Sequence, residues 1–106
     1  MDESRLRAEE LLTLSGAARR IADLVAASER PLRYEVLRHL LRVSEETMTE
    51  VLEEAVRARL VRRGEDPFTY VPANDATGDA IRESIGETRI ARMRQQLASA
   101  AERVFE

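Results

Sequence analysis

Apolar residues recur along this chain mostly in steps of three and four, with one short interruption that reads as strand. Leu14, Ala18, Ile21, Ala22 and Val25 share one face of a helix. Ser15 is placed to cap that helix, and Pro31 ends it because proline disfavours helical geometry at Arg30. A second helix over about 33–42 buries Val36, Leu37, Leu40 and Leu41. Ser44 caps a third, over about 45–60, with Glu45 and Glu46 in the first turn, where the helix dipole favours negative charge. Its inner stripe is Met48, Val51, Leu52, Ala55, Val56 and Leu60. Then Val61-Arg62-Arg63 and Phe68-Thr69-Tyr70-Val71 read as two strands, with Gly64-Glu65-Asp66-Pro67 as the reversal between them.

Beyond the strands, Asn74 can cap a fourth helix reaching Ile85, carried by Ala76, Ala80 and Ile81, with Gly86 as its stop. The last helix, about 87–105, places Ile90, Met93, Leu97, Ala100 and Val104 at alternating three- and four-residue steps. Such a seam, about two heptads long, calls for a partner helix. Upstream, residues 1–14 carry Leu6, Leu11, Leu12 and Leu14 among charges, as a linker or thin-striped helix would. The expected organisation is a 1–14 lead segment, a 15–72 core and a 73–106 helical pair. The expected fold class is mainly α (α+β): a winged helix-turn-helix with a two-stranded β wing and two additional C-terminal helices. Leu24, Val36, Leu40, Leu52, Val56 and Leu60 should be among its buried residues.

Composition adds limits. At 106 residues, 43% hydrophobic and 35% charged, the chain suits one soluble domain with a modest core. With two tyrosines, two phenylalanines and no tryptophan, that core must be aliphatic. Cysteine is absent, which removes disulfides, thiolate metal sites and thiol nucleophiles. No apolar run approaches the roughly 18 residues that span a bilayer. Met1-Asp2-Glu3-Ser4 lacks the features of a signal peptide, so a cytoplasmic location without membrane partners is expected.

Charge bears directly on function. The net charge of −3 offers no general attraction to nucleic acid. In a DNA-reading winged helix the third helix enters the major groove. Here that helix carries Glu45, Glu46, Glu50, Glu53 and Glu54, which phosphates would repel. Arg57, Arg59, Arg62 and Arg63 form the dense basic cluster. They could contact phosphate in a wing-first mode, or pair with Glu53, Glu54 and Glu65 or a protein partner. His39, the sole histidine, stands without the companions a metal site needs and reads as a half-packed boundary residue. No Gly-x-Ser-x-Gly elbow is present, and with no lysine there is no Gly-x-x-x-x-Gly-Lys-Ser/Thr phosphate loop. A non-enzyme without a cofactor of its own is expected.

Several segments are similar to the region that follows the ATPase module in STAND-type regulators, the large LuxR-type transcriptional regulators and related signalling ATPases. Leu14-Ser15-Gly16-Ala17-Ala18-Arg19-Arg20 resembles the family's Leu-Ser-Pro-x-x-Arg opening, with Gly16 where proline is usual. Val43-Ser44-Glu45-Glu46 and Val51-Leu52-Glu53-Glu54-Ala55-Val56 resemble its joint and third helix, and Leu60-Val61-Arg62-Arg63 its approach to the wing. Asp79-Ala80-Ile81-Arg82-Glu83-Ser84-Ile85 is similar to its Glu/Asp-Ala-Leu-Tyr-Glu-Ser-Leu helix, and Arg89, Met93, Leu97-Ala98 and Ala101-Glu102 fit the helix after it. The family usually has a histidine after an aromatic strand, which in some members senses nucleotide phosphate. Asn74, after Tyr70-Val71-Pro72-Ala73, takes that place here and can donate a hydrogen bond but carry no charge.

The resemblance implies a fragment excised from such a regulator. It would couple the ATP or ADP state of an absent neighbouring ATPase domain to output by domain rotation. Its partners would be neighbouring domains, with a homodimer through the seam Ile90, Met93, Leu97, Ala100 and Val104. Tight DNA binding is not expected. The alternative is a stand-alone DNA-binding winged-helix regulator using Arg57, Arg59, Arg62 and Arg63.

Overall fold

A computed structural model of the chain describes residues 15–105. The expected 1–14 segment, with Leu14, lies outside the described residues. The elements run α1 (Gly16–Ala27), β1 (Leu32–Arg33), α2 (Tyr34–Leu41), α3 (Glu45–Arg57), β2 (Val61–Arg63), β3 (Thr69–Pro72), α4 (Asp75–Ile85) and α5 (Glu87–Val104). The described chain is thus mainly helical, with five helices around a small antiparallel sheet.

Each boundary has a local cause. Ser15, Ser44 and Asn74 are N-caps whose side-chain oxygens accept from the N–H groups of Ala18, Thr47 and Thr77. Gly86 joins α4 to α5 at φ 89° and ψ 154°, a conformation open almost only to glycine. The α3 helix stops at Arg57 rather than near residue 60. Arg59 turns left-handed (φ 60°), its N–H donates to Val56 O, and the Leu60 N–H reaches back to Ala55 O. This Schellman closure folds Leu60 under the helix, where it is 2% exposed.

The sheet has three strands, not the two expected, in the order β1-β3-β2. Leu32 and Arg33 pair with Tyr70 and Thr69, and Val61, Arg62 and Arg63 with Pro72, Val71 and Tyr70. β3 begins at Thr69, which leaves Phe68 outside the ladder and exposed.

The core is built around α1. From Leu24 to Ala27 every residue is buried, because α3, α4, α5 and β3 all pack against this helix. Its small alanines allow that close approach. The carbonyls of Ala26 and Ala27, left without partners by the end of the helix, accept from Arg82 Nη1 of α4 and Arg94 Nε of α5, each at 2.9 Å. One apolar cluster therefore runs from α1 through Leu37, Met48, Leu52 and Tyr70 to Ile81, Ile85, Leu97 and Ala100.

Leu24, Val36, Leu52 and Leu60 are buried as expected, but Leu40 is half-buried and Val56 is exposed. Val56 falls one step round the helix from the Met48–Leu52–Ala55 face and looks outward. In α4 the inner residues are Thr77, Gly78, Ile81 and Ile85, while Ala76 and Ala80 are exposed. Gly78 faces Pro72 so closely that an added Cβ would sit 3.1 Å from the proline ring.

Candidate functional site

The α3 helix and the β2–β3 hairpin diverge to leave a groove of about 760 Å³, within the size range of ligand and docking clefts. Its floor is Leu52, Tyr34 and Tyr70. Its apolar rim is Val56, 42% exposed, and Phe68, 60% exposed. These are two of the three exposed large hydrophobic residues among those described; the third, Phe105, lies under the Arg33 guanidinium at 5.2 Å. Local structure explains the exposure. Phe68 sits in the turn closed by Asp66, whose Oδ1 accepts from the Phe68 N–H at 2.9 Å, so the ring is thrown clear of the ladder.

Charge divides the groove. Glu45, Glu53 and Arg57 line it from α3, and Arg62 and Arg63 from the hairpin. Arg57 pairs loosely with Glu53 at 4.0 Å, both ends being well exposed, so the pair contributes little to stability. Arg62 turns to the Arg63 carbonyl at 3.2 Å. Arg59 is exposed in the left-handed turn. The structure thus brings Arg57, Arg62 and Arg63 onto one groove and leaves Arg59 outside its lining.

The outward surface of α3 carries Glu45, Glu46, Glu50 and Glu53, all exposed, against the single basic residue Arg57. Glu54, expected outward with them, is engaged instead. Its two carboxylate oxygens accept from the Ser15 N–H at 2.8 Å and the Ser15 hydroxyl at 2.9 Å. The Ser15 backbone bond, then its hydroxyl, lower the Glu54 carboxyl below its ordinary range. Elsewhere, Glu35 is lowered, chiefly by the backbone N–H at the start of α2. Burial raises Asp23, against the opposing pull of Arg19 and Arg89.

The other residues singled out in the sequence fall apart from this groove. Asn74 is exposed, and its Oδ1 is taken by the Thr77 N–H at 2.8 Å as a helix cap. His39 is exposed rather than half-packed. In the last helix Leu97 and Ala100 are buried and Ile90, Met93 and Val104 half-buried, because α1 and α2 lie alongside. The chain's own helices therefore supply much of the partner that seam calls for. Among the described residues no three of His, Cys, Asp and Glu converge as a metal set, and no helix is long and apolar enough to cross a membrane.

The exposed pair Val56 and Phe68 was missed in the sequence. Apolar residues at a helix edge and in a turn carry no signal until the two elements face each other. No known protein family, curated protein or solved structure matches the chain.

Proposed function

We propose that the chain is a non-catalytic winged-helix module of the cytoplasm that works through protein contacts made by α3 and the hairpin, not by reading DNA. The order helix, strand, two helices and hairpin, with the sheet arranged β1-β3-β2, supports the winged-helix part of this reading. The observation that carries the functional part is the solvent face of α3. Glu45, Glu46, Glu50 and Glu53 stand where a groove-reading helix meets phosphate and base edges. Beside them the Val56–Phe68 rim offers what a protein interface uses at its centre, exposed apolar and aromatic surface ringed by charge.

The partner we propose is a neighbouring domain of a STAND-type regulator, whose nucleotide state this module passes on by domain rotation. That part rests on the resemblance of Leu14–Arg20, Val43–Glu46, Val51–Val56 and Asp79–Ile85 to the family's segments. With its oxygen spent on the α4 cap, Asn74 keeps its amide N–H groups as the only donor it could turn toward a nucleotide.

Fluorescence anisotropy against a random-sequence duplex library at physiological salt tests the reading. The expected result is no selected sequence, with any affinity at the non-specific level of about 10⁻⁴–10⁻⁶ M. Nanomolar binding lost in Arg62→Ala with Arg63→Ala would replace it with the alternative, a DNA-binding regulator.

A further inference from the structure

On a different side of the molecule, α5 carries an uninterrupted cationic and polar stripe. Arg89, Arg92, Gln96, Ser99 and Arg103 recur in steps of three and four, immediately beside the buried seam, and all are exposed. The stripe faces α1 and α2 across two adjoining concavities of about 390 and 340 Å³, which share Arg20, Arg92 and Gln96 and so form one furrow. His39 stands at one end and Arg19 at the other.

The furrow has a single carboxylate in its lining, Asp23. That group lies deep, with a side chain 14% exposed, and Arg19 faces it at 3.8 Å. Its Oδ1 is buried and accepts no hydrogen bond. Arg20, Arg89, Arg92 and Arg103 make no ion pair among the described residues, whereas Arg33, Arg38, Arg57, Arg82 and Arg94 all do. Arginines that outnumber their one deep carboxylate repel one another, and an arriving anion relieves that cost.

We propose that this furrow holds the phosphate backbone of a nucleic acid, without reading its sequence. Three features favour that ligand over an acidic protein. From Arg89 to Arg103 the stripe runs about 21 Å at 1.5 Å per helical residue, matching an extended polyanion rather than one point charge. At about 3.4 Å per phosphate along a strand it spans roughly six phosphates. The rim offers guanidinium forks and amide or hydroxyl donors suited to phosphate oxygens. None of the exposed large hydrophobic residues, Val56, Phe68 and Phe105, lines it, so it lacks the apolar anchors of a protein interface. At physiological salt the field of the acidic α3 face fades within about 8 Å, so the net charge of −3 does not forbid local binding. The inference does not depend on what occupies the α3–hairpin groove.

The test is anisotropy of the full chain with labelled 20-nucleotide single-stranded and 20-base-pair duplex probes, titrated over a range of salt. Expected is binding of at least one form at about 10⁻⁴–10⁻⁶ M, equal for unrelated sequences. If four arginines act on duplex, the log–log salt slope is about −3.6. Arg92→Ala should flatten that slope by about 1, and adding Arg103→Ala should weaken binding more than about tenfold at about 50 mM salt. Arg92→Lys with Arg103→Lys should restore it; Arg62→Ala with Arg63→Ala should leave it unchanged. The proposal is overturned if neither probe binds at low salt, if the hairpin pair abolishes binding while the α5 pair does not, or if labelled polyglutamate binds more tightly than either nucleic acid.

Discussion

Ser15 and Glu54 make the most informative pair to perturb, because one serine serves two elements. Its Oγ accepts from the Ala18 N–H at 3.1 Å to cap α1, and its hydroxyl and N–H both donate to Glu54 on α3. Ser15→Ala removes the cap, worth about 1 kcal/mol, and one bond to a carboxylate. Hydrogen bonds to charged groups contribute about 1.5–3 kcal/mol when sheltered, and less here because both residues are at least partly exposed. A total loss of about 1.5–2 kcal/mol is expected for Ser15→Ala, and about 1 kcal/mol for Glu54→Ala. Because the two share a contact, the double variant should be less destabilised than the sum by about 0.5–1 kcal/mol. Urea melts of the four proteins at neutral pH measure this directly. The sign with pH follows from the lowered Glu54 carboxyl. Its stabilisation is complete above the unfolded carboxyl range and is lost as pH falls through the folded value. In Ser15→Ala that acid limb should be shallower. Losses that add within about 0.3 kcal/mol, with an unchanged acid limb, would refute the link between α1 and α3.

Two further outcomes are expected. Arg59→Gly should stabilise the fold by about 0.5–1 kcal/mol in urea melts. The left-handed turn costs a non-glycine residue about 1–2 kcal/mol, part of which glycine returns as greater freedom in the unfolded chain. Asp23→Asn should gain stability relative to the parent as pH rises. A carboxyl raised in the fold contributes most below its unfolded value and loses that contribution as pH climbs through the folded one. Melts at pH 3 and pH 7 test it, and a stability of Asp23→Asn relative to the parent that falls from pH 3 to pH 7 would count against the burial argument.

Local chemistry was legible in the sequence and contacts across the fold were not. Ser15, Ser44, Asn74 and Gly86 mark their helix ends through interactions within three or four residues, so spacing alone reveals them. Leu32–Arg33 gives no such sign, since two residues become a strand only when Tyr70 and Thr69 arrive alongside. Val56 fits the apolar period of α3, yet the helix ends at Arg57 and Leu60 takes the inner place through a turn. The acidic face of α3 was visible as a glutamate run, but its division into four exposed carboxylates and one bound to Ser15 required the packing of α1. The arginine stripe of α5 lay in plain spacing beside the apolar seam. It becomes a furrow only because α1 contributes Arg20 and α2 His39.

Residue-by-residue NMR of the labelled chain, titrated with a 20-base-pair duplex at low salt, tests the central claim most directly. Amides of Glu45–Arg57, Val61–Arg63 and Thr69–Pro72 are expected to keep their positions throughout. Progressive shifts across α3 and the hairpin, with α5 unmoved, would show that α3 meets DNA after all and would contradict the protein-contact reading.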